Sequence, residues 1–404
     1  MASYAYNPLG MEPLRIAMFS DSALPILNGV SVSVDALVGE LRNQGHSVHL
    51  YTARYPHYRD PDANTYRFRA LETPISRGYP VAIPPFYRML HKFRRQEYDV
   101  VHTHTPFVLG MVGLRWAESH GLPIVSTYHT LYDRYSHYFR LLPRRYIRFR
   151  IAKHTNFYYN HVDHVLTPSE ASMKWLKRHS VSTPTTVVPT GIPRGPMLER
   201  AEMRQALGIP PDARILLYVG RLAQEKNLGV LLEAAAAVCR EDPRARLWLV
   251  GDGPYRQECV DIVRRSGIGD RVRFVGFVPR AEVDRYYAAA DLFVFSSITE
   301  TQGLVVQEAM THGLPAVVVA GGGAGASVVD GLNGFVVKNE AGELARTIQR
   351  VLRDEPLYSR LTEQAPRSVR DLGVPAMGER VLAVYRQVIR DQRESANADR
   401  FAWV

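Results

Sequence analysis

Cysteine is almost absent: Cys239 and Cys259 are the only two in 404 residues. So few exclude a disulfide framework and a cysteine-based zinc site. Cys239, in an Ala-rich helical run, reads as a small buried hydrophobe. Long apolar runs are missing too. None approaches the roughly 18 residues of a membrane-spanning helix. The opening Met-Ala-Ser-Tyr-Ala-Tyr-Asn-Pro has no basic patch followed by an apolar core, so a secretory signal is not expected and the cytoplasm is. There is no short repeat and no low-complexity segment. With 46% apolar and 22% charged residues, a largely disordered chain is excluded as well. No Gly-x-Gly-x-x-Gly is present, which argues against a nicotinamide or flavin dinucleotide site. No His-x-x-x-His is backed by nearby acids, so no metal is expected. Asp60-Pro61-Asp62 has the look of a metal motif but sits in a Pro-rich loop and reads as a turn.

What the chain does have is a lopsided charge. The formal net charge is +10. Residues 1–200 carry 24 Lys/Arg against 14 Asp/Glu, whereas residues 201–404 carry 26 of each. No acid occurs between Asp133 and Asp163, and that gap holds Arg134, Arg140, Arg144, Arg145, Arg148, Arg150 and Lys153 among many aromatic and aliphatic residues. Rings and Arg stems beside cations suit the headgroup boundary of an anionic membrane, where each cation contributes on the order of 1 kcal/mol. A weaker basic stretch spans residues 87–95. The plainer alternative is a pair of solvated amphipathic helices whose apolar faces are core. Nucleic acid is not expected, since no nucleic-acid motif accompanies the charge.

The length suggests two domains. Short β-branched runs at 14–19, 47–51, 98–102, 123–127 and 162–167 alternate with helical spacing such as Val30, Val34, Leu37, Val38 and Leu41. A proline cluster at Pro184, Pro189, Pro193 and Pro196 interrupts them, and a second series follows at 214–219, 247–250, 272–275, 292–295 and 316–319. Strands alternating with helices predict doubly wound parallel sheets, here two Rossmann-like domains in tandem. Residues 382–389 predict one more amphipathic helix, and the polar residues from Asp391 on are expected to fray. Ligands of such sheets bind beyond the strands' carboxyl ends, so the chemistry is expected in strand-to-helix loops.

Four such loops stand out. Residues 296–310 run from a strand through Glu300, Gln302 and Gly303 into a helix bearing Glu308. The helix N-terminus binds a phosphate through free amides, Gly303 allows close approach, and the two glutamates accept hydrogen bonds from sugar and ribose hydroxyls. A paired-acid hydrolase fits less well, because a helix N-terminus favours ionised carboxylates. Residues 218–227 follow another strand and place Arg221 and Lys226 where a diphosphate leaving group needs its charge met. Asn28-Gly29 is either a simple turn or a close approach to phosphate or sugar. His129 emerges at the end of a buried strand and is expected to face the site, with His102 and His104 at the end of another strand.

These segments resemble the retaining glycosyltransferases of family 4, which have the GT-B fold. Glu300 and Glu308 match the family's Glu-x7-Glu motif. Residues 220–222 and 225–227 match its donor loop, and 250–254 and 275–278 its nucleotide-side strands. Thr127-Tyr128-His129-Thr130-Leu131-Tyr132, Tyr135-Ser136-His137-Tyr138, Thr299–Gly303 and Asn28-Gly29-Val30 resemble the bacterial diacylglycerol glucosyltransferases within it. The similarity covers about residues 14–390. It implies an α/β chain of two facing Rossmann-like domains with doubly wound parallel sheets and an interdomain cleft. It implies an acceptor- and membrane-facing domain over 1–190, a donor-binding domain over 191–375, and a helix over 376–404 that crosses back to the first.

The donor implied is a nucleotide sugar, most simply UDP-glucose, bound through Gly29, Gly220, Arg221, Lys226, Gly251, Phe277, Glu300, Gln302, Gly303, Leu304 and Glu308. Arg221 and Lys226 would take the diphosphate, Glu308 the ribose and Glu300 the sugar. His129 would contact the transferred sugar or the acceptor, so that His129, Glu300, Arg221 and Lys226 form the catalytic set. Transfer would retain the anomeric configuration and need no metal or other cofactor. No role is carried onto Pro193, which stands where relatives often have an acid. The acceptor expected is a membrane lipid such as diacylglycerol, with Arg140, Arg144, Arg145, Arg148, Arg150 and Lys153 on the lipid surface and the enzyme peripheral to the inner face of the cell membrane. A soluble or polyprenyl-linked acceptor, a nucleotide-sugar epimerase and a non-enzymatic nucleotide-sugar binder are the alternatives.

Overall fold

The computed structural model describes residues 12–26, 28–72, 80–130, 143–193, 195–196 and 198–401. Tertiary contacts divide the chain into two units, Met1–Gly191 with Val374–Val404, and Ile192–Gly373.

The first unit is built on a seven-stranded parallel sheet. Its elements are β1 (Arg15–Ser20), α1 (Gly29–Asn43), β2 (Ser47–Ala53), β3 (Thr65–Phe68), the short antiparallel pair β4 (Ala70–Leu71) and β5 (Val81–Ala82), α2 (Tyr87–Arg94), β6 (Val100–Thr103), α3 (Val108–His120), β7 (Ile124–Thr127), α4 (Arg144–Tyr159), β8 (His164–Thr167), α5 (Glu170–Arg178) and β9 (Thr185–Val187). The strand order is β3-β2-β1-β6-β7-β8-β9. Both faces are covered, as the period of two along β1 requires. Ala17 and Phe19 pack under α2, α3, α4 and α5 with Phe93, Leu109, Tyr158 and Leu176. Ile16 and Met18 face the other way, onto Val34 and Leu41 of α1.

The second unit holds α6 (Arg200–Ala206), β10 (Arg214–Val219), α7 (Leu228–Glu241), β11 (Ala245–Val250), α8 (Arg256–Arg265), β12 (Val272–Gly276), α9 (Arg280–Ala289), β13 (Leu292–Phe295), α10 (Leu304–Thr311), β14 (Ala316–Val319), β15 (Gly334–Val337), α11 (Ala341–Arg353) and α12 (Glu355–Ser368). Its six parallel strands run β12-β11-β10-β13-β14-β15. Asp291 pins the amino end of this sheet: it accepts from the Ile215 amide and pairs with Arg200 and Arg204.

The chain closes with α13 (Val374–Phe401), which belongs to the first unit. Met377, Val381, Leu382, Tyr385, Val388 and Ile389 recur at helical spacing and join the α1 core. Gly378 lies so close to α1 that an added Cβ would stand 2.7 Å from Glu40 Cγ. The helix thus begins well before residue 382, and it does not end at Asp391: it continues to Phe401. In each sheet the strand order reverses at one place, between β1 and β6 and between β10 and β13. Ligands of doubly wound sheets bind at the carboxyl side of such switch points.

Candidate active site

In the second unit, the two loops flanking the switch point are those with the sequence signals. The loop after β10 begins at Gly220 (φ +153°), whose amide donates to the Val250 carbonyl at 2.9 Å. It continues through an exposed Arg221 into a short 3-10 turn ending at Lys226. Gly251, at the end of β11, has φ +129°, and a Cβ there would meet the Gly220 carbonyl oxygen at 2.0 Å, so the two loops touch only because the residue is glycine.

The loop after β13 lies against the first. Asn227 donates to the Ser296 carbonyl and to Asn339, and the Ser296 hydroxyl donates to the Lys226 carbonyl. These contacts bring the Lys226 ammonium to 2.5 Å from Glu300 Oε1, with the two side chains 17% and 20% exposed. Burial alone would raise the Glu300 carboxyl, but Lys226 and a hydrogen bond from Ser297 outweigh it and hold the group below its ordinary value. The site therefore presents a cation and an ionised acceptor side by side. Arg221 forms no ion pair among the described residues.

Gly303 is the N-cap of α10 at φ +78° and, having no side chain, makes no side-chain cap hydrogen bond to the helix. A Cβ on Gly303 would stand 2.7 Å from Ala324 Cα, so both backbone conformation and space demand glycine. Leu304 opens the helix. Gln302 is buried and donates its amide to Gln307. Its side chain thus anchors the loop. Phe277 follows β12 with its ring 69% exposed at the carboxyl side of the sheet.

Glu308 differs from expectation. The helix N-terminus was expected to keep it ionised, yet burial pushes its carboxyl up, against the pull of Arg280 and a hydrogen bond from Tyr287. It lies inside α10 rather than at its free end, where the dipole acts. Arg280 sits 3.2 Å from Oε1 and the Tyr287 hydroxyl 2.9 Å from Oε2. Neither partner stood out in the sequence. The usable signal was the i, i+4 spacing of Arg280 and Asp284 at the start of the helix after β12.

In the first unit, Asn28-Gly29 is not a free turn. Asn28 caps α1, its side chain accepting from the Val30 and Ser31 amides at 2.9 and 3.0 Å, while the Ser31 hydroxyl accepts from the Asn28 amide. Gly29 is the first helical residue, and a Cβ there meets nothing within 4 Å. Asp21, past the end of β1, accepts from the Thr105 hydroxyl and the Leu109 amide. His129, just past β7, is buried and shares a 2.9 Å hydrogen bond with His104, while His102 bridges Thr127 and Tyr385 of α13. Burial lowers His102 to about 3 and His129 to about 4, so the cluster is neutral. Asp60 accepts both Nε and Nη2 of Arg67, and Asp62 caps the turn at Asn64, so that motif is a turn.

Of the basic set, Arg140 and the side chains of Arg144 and Arg148 lie outside the described residues. Leu131, Tyr132, Tyr135, Ser136, His137 and Tyr138 lie outside them too. On α4, Ile147, Tyr158 and Tyr159 supply the core face, while Arg145, Arg150 and Lys153 are exposed beside Tyr146, Phe149 and Phe157. Among the described residues no helix is long and apolar enough to cross a membrane.

Comparison with known proteins gives two family matches: "Glycosyltransferase Family 4" over residues 27–194 and "Glycosyl transferases group 1" over residues 199–368. An alpha-monoglucosyldiacylglycerol synthase of Streptococcus pneumoniae is 32% identical over 318 residues, 75% of this chain and 70% of that one. Another, from Acholeplasma laidlawii, is 29% identical over 95% of this chain and all of its own. Among solved structures, sucrose-phosphate synthase from Thermosynechococcus elongatus matches with a TM-score of 0.77 at 25% identity, over 94% of this chain and all of that one. Anabaena Alr3699/HepE, solved with UDP-glucose, matches with a TM-score of 0.72 at 20% identity, over 92% and 99%. The fold is GT-B.

Proposed function

This chain belongs to the family 4 glycosyltransferases, and from that premise we propose that it transfers a glucosyl residue from a nucleotide sugar to diacylglycerol at an anionic membrane surface. The observation that carries the reading is the Lys226–Glu300 pair, held by the two loops that flank the second unit's switch point. A departing nucleoside diphosphate develops negative charge on its phosphate oxygens. Lys226, the exposed Arg221 and the amino end of α10 are the groups assigned to meet it. Ionised Glu300 accepts hydrogen bonds from the sugar hydroxyls, Glu308 takes the ribose, and the exposed Phe277 ring offers a stacking face to the base. UDP-glucose is the donor proposed, supported by the Anabaena relative in fold that binds it. Transfer retains the anomeric configuration and proceeds without a metal, the leaving-group charge being met by side chains and amides. His129 takes the role the resemblance gives it, contact with the transferred sugar or the acceptor. Neutral at working pH, it acts there as a hydrogen-bonding group.

The acceptor reading is supported by the two synthases above, whose name includes glucosyldiacylglycerol, and by a charge asymmetry within the first unit. The helices on one face of its sheet, α2, α3, α4 and α5, hold twelve Lys and Arg against two acids. The helices on the other face, α1 and α13, hold six of each. The basic face also carries exposed Tyr87, Tyr146, Phe149 and Phe157. Cations and rings exposed together fit the headgroup boundary of a bilayer and give α4 more than a core-covering role. The enzyme is proposed to act as a peripheral protein on the inner face of the cell membrane.

The test pairs activity with binding. Glu300→Ala and Lys226→Ala should abolish transfer while the protein stays folded, and the wild type should sediment with anionic vesicles at low salt and leave them at high salt. Full activity in either variant removes the site, and no sedimentation at low salt removes the lipid surface.

A further inference from the structure

Arg280 is the first residue of α9, the amino end of a helix, where a cation is disfavoured by the helix dipole. Its placement is explained by two carboxylates. Its Nη1 lies 3.1 Å from Asp284 Oδ1 and its Nη2 lies 3.2 Å from Glu308 Oε1. Asp284 is itself fixed, with His312 Nε2 at 3.3 Å and the Gly195 backbone so close that a Cβ there would stand 2.2 Å from Oδ2. The guanidinium is therefore a strut between an anchored acid and Glu308. On the far side of Glu308, the Tyr287 hydroxyl donates to Oε2 at 2.9 Å.

Among the described residues each Glu308 oxygen thus has one protein partner and keeps capacity for another, in a side chain that is 13% exposed. Two oxygens of fixed orientation, each with a lone pair to offer, suit two vicinal hydroxyls. Without its strut, a carboxylate this buried would swing or take up a proton, and a protonated carboxyl cannot accept through both oxygens in the same way.

We propose that Arg280 is a positioning residue for donor recognition: by bridging Asp284 and Glu308 it fixes Glu308 as the acceptor for both hydroxyls of the donor's ribose, and so sets the preference for a ribonucleotide over its 2′-deoxy counterpart. This rests on the reading of Glu308 as the ribose ligand.

The experiment titrates UDP and 2′-deoxy-UDP calorimetrically into the full-length wild type and into Glu308→Gln, Arg280→Met, Arg280→Lys and Tyr287→Phe, each checked for a cooperative melting transition well above the titration temperature. A hydrogen bond to a charged group supports a wild-type preference for UDP of about tenfold or more. Arg280→Met should lower UDP affinity by about tenfold and bring the two ligands to near parity, as Glu308→Gln does. Arg280→Lys should restore part of the preference, and Tyr287→Phe should lose part of it. In transfer assays the loss in Arg280→Met should fall on the donor KM rather than on kcat. If Glu308→Gln equalises the ligands but Arg280→Met keeps the full preference, Arg280 has no positioning role and the ribose reading stands. If Glu308→Gln itself keeps the preference, the ribose reading falls, and this inference with it.

Discussion

Replacing Lys226 by methionine removes one half of a buried ion pair and leaves the other half in place. Glu300 is 20% exposed, with Lys226 Nζ 2.5 Å away and a hydrogen bond from Ser297. Removing one partner of a well-buried pair costs about 3–5 kcal/mol. The remaining hydrogen bond and the partial access of water bring that to roughly 2–3 kcal/mol here, at a pH where Glu300 must stay charged. The sign of the pH dependence follows from the titration. In the wild type the carboxyl is held below its ordinary 4.5, so it stabilises the fold above that pH and loses the effect on acidification. In Lys226→Met only burial and Ser297 remain, the carboxyl rises, and the folded state is penalised increasingly as pH climbs through 4.5. The gap between the two proteins should therefore be roughly 2–3 kcal/mol at pH 8 and less than about 1 kcal/mol at pH 4.5. Urea denaturation at both pH values reads it, and Lys226→Met with Glu300→Gln should recover most of the loss at pH 8. A gap independent of pH, or no gap, would refute the reasoning that Lys226 is what keeps Glu300 ionised.

Three further expectations follow from the same geometry. Gly303→Ala places a Cβ at positive φ and 2.7 Å from Ala324 Cα, which should cost roughly 2–4 kcal/mol, whereas Gly29→Ala meets open space and should keep its stability while raising the donor KM; melting curves and donor titrations separate the two. His102, His104 and His129 are neutral in the fold because burial depresses all three, so stability should be full above pH 6.5 and fall as acid protonates the unfolded chain. The slope should reach about 1.4 kcal/mol per pH unit per histidine, about 4 for the cluster, in melts between pH 7 and 5. Removing the three exposed cations of α4 (Arg145→Ala, Arg150→Ala and Lys153→Ala together) should weaken anionic-vesicle binding by about 3 kcal/mol, on the order of a hundredfold, as measured by sedimentation.

The parts of the site that could be read from the sequence are those whose chemistry sits beside a strong strand signal. Tyr218-Val219-Gly220 and Phe293-Val294-Phe295 announce buried strands, and the charged residues that follow them are local to that signal. What escaped is what depends on distant pairing. Nothing in the spacing says that Lys226 reaches Glu300, because that contact is made by two loops 74 residues apart, joined through Asn227 and Ser296. His104 meets His129 for the same kind of reason, across neighbouring strands. β3 was missed because Arg67 breaks its apolar run, and β15 because it opens on a glycine. α13 reaches further in both directions than residues 382–389 indicated. Met377 already begins its buried stripe, and the polar residues after Asp391 continue the helix without breaking it. That the Gln302 amide donates to Gln307, tying the loop to the helix that follows, is another contact the spacing does not announce.

The most direct measurement is identification of the product. Wild-type protein is incubated with UDP-glucose labelled in the sugar and with diacylglycerol in anionic vesicles, and the lipid phase is analysed. The account predicts label in glucosyldiacylglycerol with the donor's α configuration kept, lost in Glu300→Ala. Label that never enters the lipid phase, or that is recovered only as an epimerised nucleotide sugar, would contradict it.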